Sequence, residues 1–143
     1  MPFLNSLNIA GSALTAQRYR MDLITQNLAN IDTVRTSSGE PYKRKLAVFT
    51  EQKMNFDEIL EGKKGNIGGG VKVTDVVESN AEFRKVYDPT NPEADETGYV
   101  TYSNVDSTEE QVDLLAAYNS YQANLTALNV IKAMAMKGLE IGQ

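Results

Sequence analysis

The sequence predicts an α+β protein whose N- and C-terminal helices pair as an antiparallel coiled coil, with a small β-rich insert between them. Three observations predict this arrangement. Residues 7–31 carry an apolar heptad pattern, a second one follows residue 107, and the stretch between them combines short β-branched runs with Gly- and Pro-containing turns. We therefore divide the chain into an N-terminal helix within 1–33, a linker and insert in 34–106 and a C-terminal helix in 107–143.

The N-terminal helix is predicted from apolar residues spaced alternately by three and four positions. Seven of the eight positions in its two heptad rows are apolar, and Gln17 is the exception. This spacing is typical of a helix that buries a narrow seam against another helix. It also fits an amphipathic helix that packs on the core of its own domain. The residues of this helix that we predict to form the assembly seam are Leu7, Leu14, Met21, Ile24, Leu28 and Ile31.

The C-terminal helix is predicted to begin with a capping box. The Ser107 hydroxyl would accept a hydrogen bond from the amide of Glu110, whose carboxylate would reach back to the amide of Ser107. A 4-3 apolar alternation follows and is broken only at Lys132. Its apolar stripe is wider than one seam, which indicates more than one packing partner. The residues of this helix that we predict to form the seam are Leu114, Tyr118, Tyr121, Leu125, Leu128 and Leu139.

The insert is predicted to contain four short strands. Alternating or β-branched residues place them at 43–49, 71–77, 83–87 and 99–102. Between the first two, residues 55–60 are predicted to form one helical turn and residues 62–70 a flexible glycine-rich loop.

Composition argues against an enzyme. The chain has no cysteine and no histidine, which removes thiolate metal sites, thiol nucleophiles and the usual general base. Its net charge of -5 disfavours binding to nucleic acid or to anionic lipid. The N-terminus lacks the pattern of a Sec signal peptide, and no stretch is apolar enough to span a membrane. We therefore expect no catalytic, cofactor-binding or metal-binding residues.

Three local patterns suggest ligands, and each has a simpler interpretation. The glycines of 62–70 precede a strand and lack the Gly-Lys-Ser/Thr of a P-loop, which favours a connector. The acidic cluster Asp88, Glu93, Asp95 and Glu96 lacks the order of a calcium loop, which favours a solvated turn. The basic run at 43–45 favours the exposed face of a strand over a nucleic-acid site. A catalytic pair of carboxylates, as in a glycoside hydrolase, stays open as an alternative, although nothing in the sequence singles out one pair.

The end of the first helix carries a family signature. Residues Asn27, Leu28, Ala29, Asn30 and Thr33 lie in a run that resembles the N-terminal motif of flagellar axial proteins. Further matches to the short proximal type of basal-body rod protein are Tyr42-Lys43-Arg44-Lys45, Val86-Tyr87-Asp88-Pro89, Gly98-Tyr99-Val100, and Tyr121, Ala123, Asn124 and Leu128-Asn129 in the last helix. We predict that Asn30 ends the helix in the left-handed conformation, with the Asp32 and Thr33 side chains bonded to nearby amides.

The resemblance implies a structural protein. Members of this family co-assemble with other rod proteins and with copies of themselves into a helical axial tube that transmits motor torque. They are exported by the flagellar type III apparatus without a Sec signal peptide, and the rod crosses the periplasm. Three alternatives stay open at this point: another short rod protein, a soluble coiled-coil adaptor, and a carboxylate-dependent hydrolase in the insert.

Overall fold

Two long helices enclose an insert of four strands in the computed structural model, which describes residues 2–52 and 69–141. The elements are helix α1 (Pro2–Ala29), strands β1 (Lys45–Glu51), β2 (Val71–Glu78), β3 (Arg84–Tyr87) and β4 (Tyr99–Tyr102), and helix α2 (Ser107–Ile141). The α+β class and the four strands are therefore confirmed. The helical turn predicted at 55–60 and most of the loop predicted at 62–70 lie outside the described residues.

The two helices run antiparallel. Asn27, near the end of α1, bonds Glu110 in the first turn of α2, and Arg20 bonds Asp113 farther along. Helix α2 has 35 residues and α1 has 28, which correspond to about 52 Å and about 42 Å at the α-helical rise. Because their pairing begins at the Asn27–Glu110 contact, the C-terminal end of α2 runs past the beginning of α1.

Helix α2 is capped by Asp106 and not by the predicted capping box. The Asp106 carboxylate accepts hydrogen bonds from the amides of Thr108 at 2.7 Å and Glu109 at 3.0 Å. The Ser107 hydroxyl lies inside the helix and accepts instead from the side chain of Gln111. The capping-box prediction was wrong because the aspartate one position earlier supplies an equally good cap.

Helix α1 ends without a left-handed residue, so the prediction for Asn30 was wrong. Its φ is not positive. The chain leaves α1 through tight turns in which the amide of Asn30 donates to the carbonyl of Asn27, and the amide of Thr33 donates to the carbonyl of Asn30. The Asn30 side chain donates to the Gln26 carbonyl at 2.8 Å and accepts from the Thr33 hydroxyl at 3.2 Å. Tight i→i+3 turns satisfy the last helical carbonyls as well as a left-handed residue does.

The strands form two separate antiparallel hairpins, β1–β2 and β3–β4. The first carries a bulge between Val48 and Phe49 and packs along α1. Asn104 links the bases of the two hairpins, because its side chain accepts from the Arg44 amide at 2.7 Å and donates to the Ser79 carbonyl at 3.1 Å. The small apolar core lies on the helices and at the base of the insert, and its buried residues are Ala10, Ala16, Leu23, Ile24, Tyr42, Val100, Val105 and Ala117.

Candidate assembly surface and polar junction

The predicted seam residues differ in how far their own chain covers them. Ile24 is buried. The half-buried seam residues are Leu7, Leu14, Met21, Leu28, Ile31, Leu114, Tyr121, Leu125 and Leu128. Tyr118 is 50% exposed and Leu139 is 74% exposed. Most of the seam residues are therefore at least half-buried within the single chain, whereas the side chains of Tyr118 and Leu139 are exposed.

Leu139 is exposed because of its position along α2 and not because of the face it occupies. It lies 18 positions after Tyr121 and 11 positions after Leu128, which at about 3.6 residues per turn is close to five and three full turns. All three side chains therefore share one face of α2, and the two earlier ones are half-buried. At Leu139 the helix has passed the start of α1, so the apolar face continues without a partner helix from its own chain.

The outward side of α2 exposes large apolar side chains towards both of its ends and carries no charge over its middle part. No charged residue occurs between Asp113 and Lys132, although a helix surface that faces solvent normally carries many. The large apolar side chains exposed along this helix are Val112, Leu115, Tyr118, Val130, Met134, Met136 and Leu139. Exposed apolar surface of this extent is typical of a contact with other protein.

At the opposite end of the helix pair, Asn27 forms the centre of a buried polar junction. Its side chain is 1% exposed and uses all four hydrogen-bonding positions of the amide. Nδ2 donates to the Lys45 carbonyl at 3.0 Å and to Glu110 Oε2 at 3.1 Å. Oδ1 accepts from the Lys45 amide and from the Tyr42 hydroxyl, each at 3.0 Å. One side chain thus joins α1 to β1 and to α2.

Arg44 forms the charged side of the same junction. Its guanidinium donates to Glu110 at 2.5 Å, to Glu109 at 2.7 Å and to Asp113 at 2.9 Å. Asp113 also accepts from Arg20 of α1 at 2.9 Å. The Glu110 side chain is fully buried and that of Arg44 is 11% exposed. Three ion pairs from Arg44 therefore bind the insert to α2, and the pair with Glu110 is shielded from solvent. The Arg20–Asp113 pair joins α1 to α2.

Two pKa shifts reflect this environment. Burial opposes the charge on Arg44, but the hydrogen bonds to Glu110 and Glu109, together with the negative charges of these two carboxylates, outweigh burial and raise its pKa above the ordinary value. Burial, followed by the negative charges of Glu110 and Glu78, raises the pKa of the Tyr42 hydroxyl. The arginine therefore stays charged and the tyrosine stays a hydrogen-bond donor at neutral pH.

The junction residues have roles that differ from those predicted from the sequence. The basic run predicts the exposed face of a strand, but Arg44 precedes β1 and is largely buried. Glu110 is predicted to form part of a capping box, but its carboxylate bonds Arg44 and Asn27. The available signal was the family motif, which contains Asn27; its other members are Leu28, Asn30 and Thr33, which are half-buried, and Ala29, which is exposed.

Two of the four carboxylates in the acidic loop between β3 and β4 accept hydrogen bonds within the loop, and a third, that of Glu93, pairs with Arg35. Asp88 accepts from the amide and hydroxyl of Thr90, and Asp95 accepts from Thr97 and from the Tyr99 amide. These bonds stabilise the turn. In the described residues no group of three or more acidic side chains is placed to hold a metal ion. Within the same residues, neither helix is apolar enough over sufficient length to cross a membrane.

Comparison with known protein families matches both ends of the chain. The family "Flagella basal body rod protein" matches residues 7–35. The family "Flagellar basal body rod FlgEFG protein C-terminal" matches residues 96–141. Between them these matches include most of α1 with its Asn27 motif and the whole of α2, so the helix pair is of the flagellar rod class.

Whole-chain relatives narrow the class. The flagellar basal-body rod protein FlgC of Bacillus subtilis is 47% identical, that of Escherichia coli O6:H1 is 46% identical and that of Salmonella typhimurium is 44% identical. Each match covers 100% of this chain and 100% of the relative. The chain belongs to the FlgC family of flagellar basal-body rod proteins.

Proposed function

We propose that this protein is a structural subunit of the flagellar basal-body rod, assembling with copies of itself and with other rod proteins. The observation that carries the proposal is the apolar face of α2, which continues past the start of α1 to Leu139. An apolar face that extends beyond the end of its partner helix needs a second partner to cover it. That partner would be another subunit, with one patch meeting a different patch. If the rotation between subunits does not close into a ring, the contact repeats and a helical tube grows.

The proposal includes location and mechanism. The subunit would reach the periplasmic rod through the flagellar type III apparatus, and it would work as a mechanical part and not as an enzyme. Torque would pass through many packed helices arranged around one axis. The charge-free middle of α2 supports this, because apolar contacts between neighbouring helices are possible on more than one side of it.

The test compares the same substitution at covered and uncovered positions. Leu115→Asp and Leu139→Asp place a carboxylate on exposed apolar surface, so the purified chain should unfold at nearly the wild-type temperature. Rod completion and motility should be lost, because a carboxylate buried without a partner at a subunit contact costs several kcal/mol. The measurements are thermal unfolding by circular dichroism and swimming of cells that carry each variant.

Leu128→Asp is the matched control for folding. Leu128 is half-buried in the single chain, so the same change should lower the unfolding temperature as well as stop assembly. Glu93→Lys in the acidic loop is the control for altered charge and should be milder. Normal swimming in cells with Leu115→Asp and in cells with Leu139→Asp would contradict the proposed surface.

A further inference from the structure

The β1–β2 hairpin is attached to α1 by polar side chains at both of its ends. At one end Asn27 bonds both backbone groups of Lys45, the first residue of β1. At the other end the Ser12 hydroxyl accepts from the amide of Val71, the first residue of β2, at 3.0 Å. Val71 pairs with Glu51, the last residue of β1. Each end of the hairpin ladder thus has its own attachment point on α1.

The spacing of the two attachment points matches the length of the strand. Fifteen positions separate Ser12 from Asn27, which is about 22 Å along a helix. From Lys45 to Glu51 the strand extends about 20 Å. Because the two lengths agree, both attachments can be made only when the hairpin lies along the helix axis.

Both attachments are built into the helix. Ser12 donates its hydroxyl hydrogen to the carbonyl of Ile9 at 2.8 Å, which directs the oxygen lone pairs outward to the Val71 amide. Gly70 permits the close approach, since a Cβ there would overlap the Ser12 hydroxyl oxygen. Hydrogen bonds are directional whereas apolar contacts are not, so these two points can fix a direction that packing alone would leave loose.

We propose that Ser12 and Asn27 are positioning residues that together set the direction of the β1–β2 hairpin along α1. The hairpin of each subunit would then present the same surface at the same angle to its neighbours, a requirement for a contact that repeats around a tube. Only this consequence for assembly rests on the proposed function. The direction of the hairpin is a property of the single chain and is measured on it.

The experiment measures distances between spin labels in the purified full chain. The chain has no cysteine, so labels attach only where cysteine is introduced. One label is placed at Asn119→Cys on α2, and the second is placed either at Glu51→Cys or at Glu78→Cys, at opposite ends of the hairpin ladder. All three positions are exposed. Each pair is measured by pulsed dipolar spectroscopy in the otherwise wild-type chain and in the variants.

Ser12→Ala and Asn27→Leu should each affect mainly the end of the hairpin that the replaced side chain attaches to α1. Ser12→Ala removes the attachment at the Glu51 end, so it should broaden the distance distribution from Glu51 more than that from Glu78. Asn27→Leu removes the other attachment and should broaden the distribution from Glu78 more. Thr15→Ala is the matched control for Ser12→Ala, because the Thr15 hydroxyl bonds the Gly11 carbonyl of its own helix; it should leave both distributions unchanged.

Distributions that stay at wild-type width in folded Ser12→Ala and Asn27→Leu chains would overturn the proposal, even if the variants unfold at lower temperature. Equal broadening at both ends would also overturn it, because the hairpin would then detach as a whole. If Asn27→Leu does not fold, Tyr42→Phe, which removes one hydrogen bond to Asn27, should give a smaller broadening at Glu78. If cells with Leu115→Asp and cells with Leu139→Asp both swim normally while Ser12→Ala and Asn27→Leu each broaden their own end of the hairpin, the proposed assembly surface is contradicted and this inference stands.

Discussion

Replacing Arg44 by methionine should destabilise the protein far more than removing an ordinary surface arginine. Methionine keeps an unbranched apolar chain but cannot bond the three carboxylates that Arg44 contacts. Glu110, fully buried, would lose its cationic partner. Removing one member of a buried ion pair typically costs about 3–5 kcal/mol. We expect the lower end of that range, because Glu109 and Asp113 are partly exposed and recover hydration.

For a chain of this length, a loss of about 3 kcal/mol lowers the unfolding temperature by roughly 10 °C. The assay is thermal unfolding of the purified protein followed by circular dichroism. Arg84→Met is the matched control: Arg84 pairs with Asp32 on the surface, with side chains 51% and 76% exposed, and such pairs contribute at most about 1 kcal/mol. Equal, small shifts for Arg44→Met and Arg84→Met would refute the reasoning.

A double variant distinguishes the energetic cost of losing the ion pair from the cost of leaving the Glu110 carboxylate buried without a cationic partner. In Arg44→Met with Glu110→Leu, no carboxylate is left buried at that position. We expect the double variant to be more stable than the sum of the two single changes, with a coupling of about 1–3 kcal/mol. Strict additivity would mean that the contact between Arg44 and Glu110 contributes nothing to folding.

Two further changes test local features. Gly70→Ala should destabilise by about 1–3 kcal/mol, because Gly70 has φ +106 and a Cβ would meet Ser12; Gly11→Ala, where a Cβ meets nothing within 4 Å, should not destabilise, and urea unfolding of both variants checks this. Hydrogen bonds from the Glu109 and Thr108 amides lower the pKa of Asp106 below its ordinary value of 3.8. The charged Asp106 cap therefore stabilises the fold above that pH, and this stabilisation is lost as the pH falls through the lowered pKa. On acidification the unfolding temperature of Asp106→Asn should fall less than that of the wild-type protein. Identical pH profiles of the two unfolding temperatures would show that the Asp106 charge does not stabilise the helix start.

The sequence alone was sufficient for the family and for the helices and strands that the structure describes, although not for the cap of α2 or the way α1 ends. Helix α1 and helix α2 could be predicted because apolar spacing is a local property of each segment. The strands were predicted within two residues of their observed ends for the same reason, as with 71–77 against the observed Val71–Glu78. The family resemblance was carried by short motifs that need no knowledge of three-dimensional contacts.

The polar junction could be decided only by the tertiary structure. Arg44 and Glu110 lie 66 positions apart, and nothing local to either residue indicates the other. A glutamate three residues after a serine fits a capping box as well as a buried ion pair, and an arginine beside two lysines fits an exposed strand. Asn27 appeared only as a motif member, because its four hydrogen bonds reach parts of the chain that are distant in sequence. Which role each side chain takes depends on how the insert folds back onto the helix pair, and that is set by packing across the whole chain.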